Sequence, residues 1–195
     1  MTDKESDATE TESPVVLAVD NEKRVVQAFE LWLNDDYSVE TATSGQEALN
    51  QMHDGVDVVL LDRHMPGLSG EDVLEGIRKQ GYDCHVAMVT AVDPDFDIVE
   101  MPFDYYVSKP VDEPTLQSII TELLELREYE DKVSELYRVC QKITTLEAKK
   151  PRQRLNEDER YQELLEARET LQATTRELVT TREMSAFEDI FEAKQ

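Results

Sequence analysis

Three apolar runs constrain what this chain can fold into more than any other feature. They are Val15-Val16-Leu17-Ala18-Val19, residues 56–61 (VDVVLL) and residues 86–90 (VAMVT). None shows the regular polar alternation of a strand with one wet face, so each reads as a strand covered on both sides. Helical periodicity fills the gaps between them. Val25, Val26, Phe29, Trp32 and Leu33 fall at helical spacing within residues 22–34. Ser44 heads a short helix reaching Met52, with Glu47 three residues on to complete a capping box, and residues 69–80 form a third helix. Residues 37–42 and 105–107 raise the strand count to five. Strands alternating with helices join by right-handed crossovers. The first part of the chain is therefore α/β, a doubly wound five-stranded parallel sheet.

Glycine marks where this pattern ends. All six glycines lie at or before position 81, and after Pro114 the only proline is Pro151. From Thr115 onward Leu116, Ile119, Leu123, Leu126, Val133, Tyr137, Cys140, Ile143 and Leu146 recur at three- and four-residue steps. The stripe predicts one helix over residues 115–148, about 50 Å long. Lys149-Lys150-Pro151-Arg152-Gln153-Arg154 breaks it, and Asn156 to Glu159 reads as a capping box opening a second helix. In that helix Leu164, Leu171 and Leu178 repeat every seven residues, with Phe187, Ile190 and Phe191 near the end. The expected arrangement is a long-helix hairpin or coiled coil that folds back at Pro151 and associates between chains as a homodimer. Glu130, Arg168 and Thr175 place polar groups in its core slots. The chain then divides into an acidic tail (1–13, disordered), an α/β domain (14–125) and a helical domain (126–195).

Charge narrows the function. The chain has 44 acidic and 20 basic side chains, a net charge of −24, and residues 1–126 hold 28 of the acids against seven bases. Such a surface repels nucleic acid, and a carboxylate-rich, lysine-poor composition suits molar salt. No stretch approaches the roughly 20 apolar residues of a membrane span, and residues 1–13 lack the basic flank and apolar stretch of a signal peptide. Cys84 and Cys140 are the only cysteines, which argues against a disulfide framework or a cysteine metal site. A soluble cytoplasmic protein is expected.

Ligands of doubly wound sheets bind at the carboxyl ends of the strands. Here those ends carry Asp20-Asn21-Glu22, Asp62, Thr90 and Ser108-Lys109-Pro110. Carboxylates, a hydroxyl and an ammonium on one rim suit Mg²⁺ and a phosphoryl group, with a carboxylate as nucleophile.

VVLAVDNE (15–22), VVLLDRHMPGLSG (58–70), AMVTA (87–91) and YYVSKP (105–110) together resemble, in order, the receiver domain of two-component response regulators, the CheY-like, flavodoxin-like fold. The resemblance implies that Asp62 accepts a phosphoryl group from a sensor histidine kinase. It implies that Mg²⁺ is held by Asp20, Asn21, Asp62 and the backbone carbonyl of His64, with Lys109 pairing the phosphate. Thr90 and Tyr106 become the switch residues, and the Lys109–Pro110 bond is expected to be cis. Such a domain catalyses only its own phosphoryl transfer and dephosphorylation. The sequence departs from the family at Asn21, where an acid is usual, and in the short stretch 91–103, which leaves barely two turns for a fourth helix. Residues 127–190, including LEAKKPRQRLNEDERYQELLEA (146–167), resemble the HalX domain of haloarchaeal regulators.

Other readings are weaker. Direct DNA binding has the four positive charges of residues 149–154 in its favour, but no helix–turn–helix layout accompanies them. A haloacid-dehalogenase-type hydrolase needs Asp at position 64, which is His64. A phosphorylation-independent pseudo-receiver follows if Asn21 disables the site. His53 and His85 have no partners at ligand spacing and default to core or surface roles.

Overall fold

The computed structural model describes residues 13–192. The tail expected over 1–13 lies, but for Ser13, outside them, and so do the side chains of Phe187, Ile190 and Phe191.

Five strands form one parallel sheet: β1 (Val15–Val19), β2 (Ser38–Ala42), β3 (Val56–Leu61), β4 (His85–Thr90) and β5 (Tyr105–Ser108), in the order β2-β1-β3-β4-β5. The pleat sends alternate residues of each apolar run to opposite faces. Leu17, Val19, Val59, Leu61, Val86 and Met88 enter one core, while Val16, Ala18, Val58, Leu60, Ala87 and Val89 enter the other. Helices α2 (Gly45–Gln51) and α3 (Gly70–Gln80) cover the first face with Ala48, Val73, Leu74 and Ile77. Helix α1 (Lys23–Leu33) covers the second with Phe29 and Leu33. The first turns of α4 (Glu113–Lys149) add Leu116, Ile119, Ile120 and Leu123 to it.

The helix starts carry the expected chemistry with one shift. Ser44 accepts the Glu47 N–H at 3.2 Å, but the Glu47 carboxylate reaches past Ser44 to the Thr43 N–H at 2.7 Å. A reciprocal capping box forms instead at α3, between Ser69 and Asp72. The place of the expected fourth helix is taken by a five-residue 3₁₀ turn, Phe96–Glu100, with Phe96 and Val99 exposed. At the amino ends of β4 and β5, Asp104 accepts from the Val86 N–H and Arg78 Nη2, each at 2.7 Å, and faces His85 Nδ1 at 3.4 Å. Burial alone raises the Asp104 pKa, but these hydrogen bonds and the Arg78 charge outweigh it and hold the carboxyl below its ordinary value. His85 is thus a buried structural partner, and His53 pairs with Glu40 at 3.2 Å.

Contacts divide the chain between Leu124 and Glu125. Within the second unit the chain turns at Pro151, forms the short α5 (Arg152–Asn156) and returns as α6 (Glu159–Glu192). Val139, Ile143, Leu155, Tyr161 and Leu171 form its core, flanked by Leu136, Leu146, Leu164 and Leu165. Two expectations are corrected. Val133 and Tyr137 are 38% and 65% exposed, because the seam follows Leu136, Val139 and Ile143 instead. Asn156 ends α5 and opens no capping box; Asp158, the residue before α6, accepts the Arg160 N–H of its first turn. No helix among the described residues is long and apolar enough to cross a membrane.

Candidate functional site

Register brings the site together. Val19 pairs with Leu61, so Asp20 and Asp62 leave adjacent strands side by side, and the Asp62 N–H donates to the Val19 carbonyl at 2.9 Å. Thr90 pairs with Ser108, and the Lys109 N–H donates to the Thr90 carbonyl at 2.8 Å. The Lys109 side chain therefore rises on the same rim. Its ammonium pairs directly with Asp20 and lies 3.4 Å from Asp62 Oδ1. Asp20, Asp62 and Thr90 are 1%, 7% and 0% exposed, so two carboxylates share one cation in a shielded pocket. The Glu22 N–H donates to Asp20 Oδ1 at 2.7 Å and fixes that carboxylate further.

The loop after Asp62 is shaped by close approach. A Cβ on Gly70 would meet the Asp62 carbonyl oxygen at 2.2 Å and Arg63 Cα at 2.8 Å, which only glycine avoids. Gly67 adopts φ +84°, the left-handed region that favours glycine. Arg63, 8% exposed, directs Nε to Glu71 Oε1 at 2.7 Å and ties the loop to the start of α3. Sequence reading passed over Arg63, since nothing in its neighbours marks a charged residue as buried.

Thr90 and Tyr106 meet at one residue. The Val92 N–H donates to Thr90 Oγ1 at 3.3 Å, and the Tyr106 hydroxyl donates to the Val92 carbonyl at 2.7 Å. Tyr105 packs instead on the opposite face of the sheet. Asn21 and His64 are exposed at the edge of the rim, and the Lys109–Pro110 bond is cis.

Among the described residues no three His, Cys, Asp or Glu side chains converge as a metal cluster. The rim offers the Asp20 and Asp62 carboxylates, both hard oxygen donors. That set fits Mg²⁺, which commonly takes one or two carboxylates and completes its shell with water and phosphate oxygens.

Comparison with known proteins shows the family. The family model for the response regulator receiver domain matches residues 16–121, and the HalX domain model matches residues 125–193. A candidate transcriptional regulator of Haloferax volcanii is 48% identical over 135 residues, which are 69% of this chain and 23% of that protein. Response regulator SaeR of Staphylococcus aureus is 30% identical over 113 residues, 56% of this chain and 50% of that protein. The chain thus spans only 23% to 50% of the length of these relatives. Among solved structures, chemotaxis protein CheY4 of Vibrio cholerae is 26% identical with a TM-score of 0.52, covering 56% of this chain and 98% of that one. A CheY-like receiver domain protein of Methanospirillum hungatei is 27% identical with a TM-score of 0.54, covering 60% and 98%.

Proposed function

The chain belongs to the receiver family of two-component response regulators and carries a HalX domain, and from that premise we propose that Asp62 is the phosphoryl acceptor of a sensor histidine kinase. The observation that carries the reading is the pairing of Asp62 with Asp20 under a single lysine at the strand ends. An Asp62 carboxylate oxygen attacks phosphorus on the kinase's phosphohistidine. A P–O bond forms as the P–N bond breaks, and the departing imidazole takes up a proton. Asp20, Asp62, the Asn21 amide and the His64 carbonyl would hold Mg²⁺, whose charge offsets that of the phosphoryl oxygens. Lys109 neutralises a phosphoryl oxygen from the other side. Asn21 leaves the site one negative charge short of its family pattern, which weakens metal binding and spares the Lys109–Asp20 pair.

The switch runs through Val92. A phosphoryl oxygen on Asp62 offers the Thr90 hydroxyl a stronger partner than the Val92 N–H. Releasing residue 92 loosens the chain that leads into the exposed Phe96 and Val99. The helical domain acts as the output, and second copies meet along the exposed Val133 and Tyr137 of α4, four residues apart on one face. The protein acts in the cytoplasm and has no metabolic substrate.

Incubation with acetyl phosphate and Mg²⁺, followed by intact mass, tests the assignment. One phosphoryl adduct is expected, and Asp62→Asn is expected to remove it. Absence of the adduct, or its survival in Asp62→Asn, sinks the reading. Light scattering on the same samples checks association.

A further inference from the structure

The elbow of the helical unit forms a half-open cavity of about 500 Å³ that the receiver chemistry leaves unused. That volume lies within the ~300–1,000 Å³ range of small-molecule sites, far above the ~30 Å³ share of one water. Its apolar wall comes from three elements: Leu146 of α4, Leu155 of α5, and Tyr161 and Leu164 of α6. Leu155 and Tyr161 are 6% and 7% exposed and belong to the core of the hairpin, so the wall is built and not a surface dent.

The rim decides the ligand. Arg160 is committed to Asp158, with guanidinium contacts of 3.1 and 2.8 Å. The Tyr161 hydroxyl donates to Glu147 at 2.8 Å, and Glu157 is faced by Gln153 at 3.4 Å. Lys150 and Arg154 also line the cavity, and among the described residues neither has an ion-pair partner. Two cations without an ion-pair partner thus line an apolar wall whose neighbouring carboxylates are Glu157 and, through Tyr161, Glu147. A run of phosphates, as in nucleic acid, would meet Glu147, Glu157, Asp158 and Glu159 on either side.

We infer that the elbow pocket binds a small organic anion with one negatively charged head and an apolar body. The head sits between Lys150 and Arg154, and the body packs on Leu146, Leu155 and Leu164. Because Leu155 and Tyr161 serve both cavity and core, occupancy stabilises the turn of the hairpin. The helical unit thereby gains an input of its own, independent of Asp62.

The full-length chain is titrated with 8-anilinonaphthalene-1-sulfonate and, separately, with N-phenyl-1-naphthylamine, which lacks the sulfonate. One saturable site is expected for the anion, with the neutral analogue at least tenfold weaker. Lys150→Gln with Arg154→Gln is expected to weaken the anion at least tenfold, with unchanged far-ultraviolet circular dichroism. Leu164→Trp, which fills the cavity from its apolar side, is expected to abolish the site and keeps the test open if the double variant misfolds. Equal binding of the two probes, or anion binding indifferent to both variants, overturns the inference. Displacement of the probe by short duplex DNA overturns it in favour of a polyanion.

Discussion

In the receiver, Val16, Leu17, Val58, Val59, Leu60 and Leu61 are at most 1% exposed, whereas Val139, Leu155, Tyr161 and Leu171 of the helical hairpin each stay 6–7% exposed. Both halves use the same residue types. What differs is the number of layers. A sheet with helices on both faces closes two cores around each strand, so a five-residue run can disappear from solvent. Two helices close only along a seam, and every other face of each remains wet. Among the described residues the hairpin also leaves Arg168 Nε and Thr175 Oγ1 buried with no hydrogen-bond partner, while in the receiver the buried Asp20 and Thr90 side chains are hydrogen-bonded and Asp62 is ion-paired to Lys109. Depth of burial and polar satisfaction therefore go together in this chain.

Matched truncations give the sharpest contrast. Leu60→Ala is expected to cost the receiver about 3–4 kcal/mol, and Leu171→Ala to cost the hairpin about 2 kcal/mol, because a shallower site collapses more easily around the missing methyls. Denaturant titration followed by Trp32 fluorescence reports the first and far-ultraviolet circular dichroism the second. If either substitution moves both transitions equally, the halves unfold as one body and the contrast is void.

Gly70→Ala comes next, at about 2–3 kcal/mol against the receiver alone, since its Cβ would press on the Asp62 carbonyl. It should also lower the yield of the phosphoryl adduct, as the loop carrying Asp62 must shift. A variant with wild-type stability and wild-type adduct yield would show that the loop relaxes freely.

The third test uses pH. Asp104 titrates below its ordinary value in the folded receiver, so its contribution is complete above about 3.8 and is lost as pH falls through the lower folded value. The receiver midpoint is expected to drop over that acid window, and Asp104→Asn to flatten the drop. A wild-type slope in the variant would assign the acid sensitivity to other carboxylates.

The smallest effect runs the other way. Thr175→Val removes an unsatisfied hydroxyl from the hairpin at nearly constant volume and is expected to stabilise it by about 1 kcal/mol. Destabilisation would mean that the hydroxyl finds water in solution.

The receiver was legible because VVLAV and VDVVLL admit few alternatives, and the ends of β1, β3, β4 and β5 then name candidate site residues. Residue 92 was not legible: its backbone groups, not its valine side chain, join Thr90 to Tyr106, and only register reveals that. Only the family resemblance set Tyr106 apart from Tyr105 in sequence, as the pleat alone separates their faces. The hairpin failed differently. α4 carries two apolar stripes, one through Val133 and Tyr137 and one through Leu136, Val139 and Ile143. Spacing favours both, and the choice is made by where α6 returns. The start of α6 was misplaced because Asn156 and Asp158 are both good caps, and α5 consumes the first.

In the proposed switch, residue 92 would also set the noise floor of the signal. Held through both its N–H and its carbonyl, it escapes spontaneously only when two hydrogen bonds open together. At about 1 kcal/mol each, escape costs about 2 kcal/mol, so roughly one molecule in 30 is released without any phosphoryl group. Each bond alone would leak about one in six. Under the proposed switch, about three releases in every hundred molecules is a background that a modest degree of phosphorylation would rise above.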